Sequence, residues 1–327
     1  MTKHCFMKYL VTGGAGFIGS HVCEALLARG DPVICVDNLN DYYNPKIKEN
    51  NVSGIIKNKN FTLYKTDIAE YKGLQELFES EKPDKVIHLA ARAGVRASIE
   101  QPFLYAQTNL TGTMNLLELA KQYKIRNFIF ASSSSVYGDR PEVPFRETDR
   151  VDDPISPYAA TKKAGELLCY TYHHLYHIPI TCLRFFTVYG PRGRPDMSPH
   201  KFITSVLTGK AIDKYGDGSS ERDYTYVADI VKGVISAVDK EQAYTLINLG
   251  NAKPVTLNQY ISIVEKVVGK KAVLNQKPMQ PGDVEKTYAD ITLAKKMLNW
   301  EPTLSLQEGL RKQFEHIQKN LPLYDLT

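Results

Sequence analysis

The sequence predicts an α/β protein, a doubly wound parallel sheet accompanied by a smaller, discontinuous C-terminal α/β lobe. Three observations carry that prediction. Short β-rich runs alternate with longer helical stretches up to about residue 185, a glycine-rich turn joins the first run to the first helix, and the alternation stops after Tyr189.

Taken in order, six runs read as strands: Lys8–Thr12, Pro32–Val36, Phe61–Lys65, Lys85–Leu89, Asn127–Ala131 and Ile180–Arg184. Most are apolar without strict alternation, as expected of strands covered on both faces. The clearest helical patterns between them run from Pro102 to Tyr123 and from Tyr158 to Tyr176. Strand, helix and strand repeated in this way imply right-handed crossovers and a parallel sheet. Gly190-Pro-Arg-Gly-Arg-Pro195 then reads as a loop, and the later elements are shorter and less regular. This places a boundary between residues 189 and 190, with some later segments returning to the first domain.

Composition narrows the function classes. Of 327 residues, 43% are hydrophobic and 24% charged, near the globular average, which excludes disordered, collagen-like and coiled-coil chains. Lys and Arg outnumber Asp and Glu by 41 to 36, and no basic run exceeds two residues. That balance suits a pocket for an anionic small molecule, not a nucleic-acid surface with its clustered cations. The five cysteines are odd in number and none are spaced Cys-x-x-Cys, so neither a disulfide framework nor a zinc site is expected. With no apolar run of 18 residues and no signal-peptide core at the start, the expectation is a cytoplasmic protein that spans no membrane.

The first strand runs into Gly13-Gly14-Ala15-Gly16-Phe17-Ile18-Gly19 and then a helical stretch. Glycines at 13, 16 and 19 permit a tight turn, close approach of backbone to a pyrophosphate, and close helix–strand packing; the helix N-terminus offers N–H groups to the phosphates. In this strand–turn–helix setting the pattern is the Rossmann dinucleotide signature. Asp37, which with Asn38 ends the second strand, lies 18 residues after Gly19. A carboxylate there can accept from an adenosine ribose and repels a 2′-phosphate, which favours NAD over NADP.

Pro157-Tyr158-Ala-Ala-Thr-Lys162 puts Tyr158 and Lys162 four residues apart on one helix face. A phenol is a poor base at neutral pH, and a neighbouring ammonium favours its ionised form. The Ser132-Ser133-Ser134-Ser135 run after the fifth strand could share a substrate proton with Tyr158.

Together the glycine turn, Asp37, the serines and Tyr158 with Lys162 resemble the extended short-chain dehydrogenase/reductase superfamily over nearly the whole chain. The resemblance implies an NAD-binding domain over 1–189 and a mainly nucleotide-sugar-binding lobe over 190–327. Dehydratases of the superfamily carry Thr-Asp-Glu, and UDP-glucuronate decarboxylases a Glu, where this chain has Ser133-Ser134-Ser135, which leaves epimerisation. Arg184-Phe-Phe-Thr187 followed by Gly193-Arg-Pro-Asp-Met197 is similar to the UDP-glucuronate 4-epimerases, as are Asp37-to-Tyr43, Ala93-Gly-Val-Arg96 and Gln280-Pro-Gly-Asp283.

That family implies reversible conversion of UDP-glucuronate to UDP-galacturonate through a 4-keto sugar. Tyr158 is the base, assisted by Ser133, and Lys162 keeps it acidic. The intermediate is a β-keto acid prone to losing carbon dioxide. Ser134, Ser135 and Thr187 could hold its carboxylate as hydrogen-bond donors, with Arg194 as charge partner; a backbone-capping role for Thr187 fits equally at this stage. The resemblance further assigns Arg222 to the diphosphate, Tyr215 and Phe202 to the nucleotide, and Asp283 to the substrate. Asp67 and Ile68 fall at the adenine, Lys48 at the adenosine ribose, Leu89, Ala90 and Ala91 along the cofactor, and Asn109 on the nicotinamide side. Tyr215 and Phe202 also fit a core. Arg92 departs from the family's usual Gln. A 4-epimerase of neutral UDP-hexoses is the alternative reading, and the two long helices suggest a homodimer.

Overall fold

A computed structural model describes residues 7–278 and 284–324. Its centre is a sheet of parallel strands: β1 (Tyr9–Thr12), β2 (Val33–Val36), β3 (Phe61–Tyr64), β4 (Lys85–His88), β5 (Asn127–Ser133), β6 (Ile180–Phe185) and a strand at Tyr244–Leu249. Across the sheet the order is Tyr244–Leu249, β6, β5, β4, β1, β2, β3, parallel throughout. The chain runs outward one way from β1 and the other way from β4, so a crevice opens at the carboxyl ends between them, where ligands of such sheets bind.

The seventh strand is the main difference from the six expected. It lies beyond residue 189, and Tyr244-Thr-Leu-Ile-Asn-Leu249 carries too little of an apolar run to be separated from the irregular region around it. The Val227–Asp239 helix precedes it, and Val227, Ile230, Val231 and Val234 pack into the same core as Val22, Cys23 and Leu26 of helix α1 (Phe17–Ala28). A second core on the opposite face joins Leu74, Leu77 and Phe78 to Leu116, Leu117, Cys169 and Tyr172. A third, around Tyr189, Ile203, Tyr224, Tyr260, Val264 and Leu310, consolidates the C-terminal part.

The helix expected from Pro102 to Tyr123 is present but contains a π-helical turn at Gln107–Thr111. Such an inserted turn swings one extra side chain inward, commonly at functional sites; here Asn109 is buried. The helix Pro157–Tyr176 begins with Pro157 at its first position and Ser156 Oγ accepting from Ala159 N at 3.1 Å, a combination that fixes its start. Gly165 lets this helix press onto β5, since any side-chain carbon there would collide with the Phe130 ring. That close approach brings Tyr158 and Lys162 to the strand end carrying the serines.

Candidate active site

A cavity of about 390 Å³ opens at the carboxyl ends of the central strands. At one end, Gly13 adopts φ +66°, and a Cβ there would stand 2.8 Å from the Ala90 amide nitrogen, so only glycine lets the turn lie against Leu89 and Ala90. Helix α1 starts at Phe17 without a side-chain cap on Gly16, which leaves its first amides to the cavity. Buried Asp37 accepts from Leu39 N at 2.9 Å and Ala15 N at 3.2 Å, with Lys48 Nζ 4.0 Å away. Burial raises the Asp37 pKa, opposed by Lys48 and the two amides. Lys48 is itself held by the Asn40 carbonyl and side-chain oxygen, both at 3.0 Å. An uncapped helix start, a glycine cradle and a carboxylate one strand over form a donor and acceptor set that fits a dinucleotide.

At the other end stand Tyr158, Lys162 and Ser133. The Ser133 hydroxyl donates to Ser135 Oγ at 3.1 Å and accepts from Ser135 N at 3.2 Å. Lys162 Nζ donates to the Ala131 carbonyl at 2.8 Å and lies 6.0 Å from the Tyr158 ring centre. In the protein on its own, the Tyr158 shift comes from other groups than Lys162. Burial raises the Tyr158 pKa; Ser133 and Arg194 pull it down, while Tyr42 adds to the rise. Lys162 is lowered to about 8 by its own burial, with Cys169 and Glu166 working against that fall. The ammonium is tied to the Ala131 carbonyl, and Lys162 is not among the causes that shift Tyr158.

Arg194, expected as a charge partner for the sugar carboxylate, is paired within the protein itself. Its Nε donates to Asp196 Oδ1 at 3.0 Å, and Nη2 to the Ala93 carbonyl at 2.9 Å and Asp196 Oδ2 at 2.5 Å. Burial disfavours its charge, but the Asp196 pair more than offsets this and its pKa rises. Arg194 and Arg92 both lie near the Tyr42 ring, 5.2 and 5.4 Å from its centre, and all three line the cavity.

The cavity wall also includes Gly13, Gly16, Phe17, Ile18, Gly19, Asn38, Asp67, Ile68, Leu89, Ala90, Ala91, Ser134, Ser135 and Thr187. Asn109 stands behind the wall: its amide bonds Arg92 N at 2.8 Å, Arg92 O at 3.0 Å and Thr161 Oγ1 at 3.0 Å, so it holds the Arg92 loop against the Pro157–Tyr176 helix. Phe202, Tyr215 and Arg222 are likewise off the wall. Phe202 packs edge-on to Tyr260 at 5.7 Å, Tyr215 lies under Arg96 at 5.1 Å, and Arg222 Nη1 donates to the Glu221 and Glu285 carbonyls. Asp283 falls outside the described residues. Tyr42, Tyr43, Arg92 and Met197 line the cavity without having been assigned a site role. For Tyr42 the available signal was its place in the polar loop just past Asp37. Among the described residues no cluster of His, Cys, Asp and Glu could hold a metal ion, and no helix is long and apolar enough to cross a membrane.

Residues 10–313 match the model of the GDP-mannose 4,6 dehydratase family. A UDP-glucuronate 4-epimerase of Thermodesulfobacterium geofontis is 49% identical over 96% of this chain and 97% of its own. The chain belongs to the UDP-glucuronate 4-epimerase family. A solved UDP-glucuronic acid 4-epimerase from Bacillus cereus, in complex with UDP-glucuronic acid and NAD, superposes with a TM-score of 0.91 at 39% identity, covering 96% of this chain and 99% of that one. A UDP-glucose 4-epimerase from Thermotoga maritima with UDP-glucose gives 0.89 at 36% identity, covering 96% and 100%.

Proposed function

We propose that this chain interconverts UDP-glucuronate and UDP-galacturonate by epimerisation at C4. The observation that carries the reading is the corner at one end of the cavity, where Ser133, Ser134 and Ser135 lie with Thr187 beside Tyr158 and Lys162. The glycine turn, the α1 N-terminus, Asp37 and Lys48 hold NAD, which accepts the C4 hydride and returns it. Tyr158 takes the C4 hydroxyl proton with Ser133 sharing it, and Lys162 sits beneath that pair. Ser134, Ser135 and Thr187 donate to the sugar carboxylate. Hydrogen bonds to a charged group contribute about 1.5–3 kcal/mol each, enough for two or three to oppose loss of carbon dioxide. Phe202, Tyr215, Arg222 and Asp283 serve the uridine diphosphate from the lobe spanning 190–327, while Asn109 supports the nicotinamide side from behind.

The protein acts as a cytoplasmic homodimer. Phe103 (89% exposed), Leu167 (56%) and Leu175 (57%) lie with Tyr170 and Met114 on the outer faces of the two long helices, an apolar surface that a second copy would cover.

Proton NMR of the purified protein with UDP-glucuronate and no added NAD tests the reading. UDP-galacturonate is the expected product. A UDP-pentose would mean that the carboxylate is not protected, and turnover of UDP-glucose alone would make this a neutral hexose epimerase.

A further inference from the structure

Glu166 follows Lys162 by four residues and Tyr158 by eight, so the three share one face of the catalytic helix. Its Oε1 accepts from Ser132 Oγ at 2.6 Å and from Arg184 Nε at 2.8 Å, and its Oε2 accepts from Arg184 Nη2 at 2.8 Å. Both ionic side chains are 1% exposed. The Arg184 fork continues through Nη1 to Tyr137 OH at 2.9 Å, and that hydroxyl donates to Asn248 Oδ1 at 2.7 Å. Ser132 and Arg184 are register partners on β5 and β6. Ser132 immediately precedes Ser133, and Arg184 stands three residues before Thr187.

One buried carboxylate therefore ties the helix of the acid–base pair to both strand ends that carry the hydroxyls. Such a pair is a poor source of stability, since packed apolar residues would serve as well, but it is directional in a way that apolar packing is not. We propose that the Glu166–Arg184 pair, with the Ser132 hydroxyl, positions Ser133–Ser135 and Thr187 against Tyr158, and thereby sets how much 4-keto sugar returns as epimer instead of losing carbon dioxide. The inference rests on the uronate reading above. In the side reaction the C5–C6 bond of the 4-keto-uronate breaks and carbon dioxide leaves. The electron pair passes to the C4 carbonyl oxygen as an enolate, and a solvent proton then adds at C5 to give the 4-keto-pentose.

The test uses UDP-glucuronate labelled with carbon-13 at C6 and compares the unaltered enzyme with Ser132→Ala and Glu166→Gln, with rates normalised to bound NAD. Both variants are expected to lower kcat about tenfold with KM within twofold, and to raise the fraction of turnovers ending as labelled carbon dioxide at least fivefold. A structural defect alone would remove active molecules and leave that fraction unchanged. Unchanged kcat and partition in a folded Ser132→Ala variant overturn the proposal, and that variant decides alone if Glu166→Gln does not fold. If the unaltered enzyme ignores UDP-glucuronate, the functional reading has failed. The variants are then assayed on UDP-glucose, where a lowered kcat sustains the positioning role and a normal one overturns it.

Discussion

Lys162 and Ala131 form a 2.8 Å contact between the Pro157–Tyr176 helix and β5, with the ammonium donating to the strand carbonyl deep inside the protein. Burial lowers the Lys162 pKa to about 8 from its ordinary 10.5. Between those values the unfolded chain holds a proton on Lys162 that the folded chain has released, so stability rises with pH across that window. Below it both states are protonated and the cost of the buried charge is constant. The unfolding free energy of the native protein minus that of Lys162→Met should therefore grow by about 1–3 kcal/mol from about pH 7.5 to 10. A difference independent of pH would contradict the lowered value.

Thr187→Val keeps the side chain's shape and removes its hydroxyl. If that hydroxyl holds the sugar carboxylate, the share of UDP-glucuronate converted to pentose should rise about tenfold or more, in line with one lost charged hydrogen bond. Product analysis by NMR reads this directly, and an unchanged product ratio would return Thr187 to a backbone-capping role.

Asp37→Asn replaces the carboxylate at the end of β2 with a neutral amide. The variant should weaken NAD binding about tenfold or more and lose cofactor during purification, seen as a falling 260/280 nm absorbance ratio. It should also gain measurable NADP binding, because the repulsion toward a 2′-phosphate is gone.

Leu167→Arg combined with Leu175→Arg places two charges on the exposed apolar face of the catalytic helix. Sedimentation velocity should give a species of about twice the 36.8 kDa chain mass for the unaltered protein and a monomer for the double variant. A dimer that survives both substitutions would place the interface elsewhere.

The dinucleotide turn was legible because its requirements are local: glycines at fixed offsets between a strand and a helix need no knowledge of the rest of the chain. Tyr158 and Lys162 were legible for the same reason, their spacing being that of one helical turn. What escaped depended on segments distant in sequence. The strand Tyr244–Leu249 has meaning only beside β6, and the π-turn at Asn109 follows from the loop at Arg92 that it must hold. The direction of the Tyr158 shift depends on how deeply the folded protein encloses the phenol, which spacing does not disclose. Arg194 had a neutralising partner only two residues away in Asp196, but the Ala93 carbonyl that completes its cage comes from another loop.

The late arrival of Tyr244–Leu249 governs the order in which the protein can mature. Until residue 249 has left the ribosome, β6 is the raw margin of the sheet, with unsatisfied backbone groups along its outer side. Tyr137, whose hydroxyl donates to Asn248, waits for the same segment. A nascent chain stopped at residue 189 would hold every residue of the dinucleotide turn and the catalytic helix, yet would carry a sticky border in place of a finished edge. The part of the molecule made first is thus completed by one made late, and cutting the chain at its apparent seam would yield two pieces prone to aggregate instead of two domains.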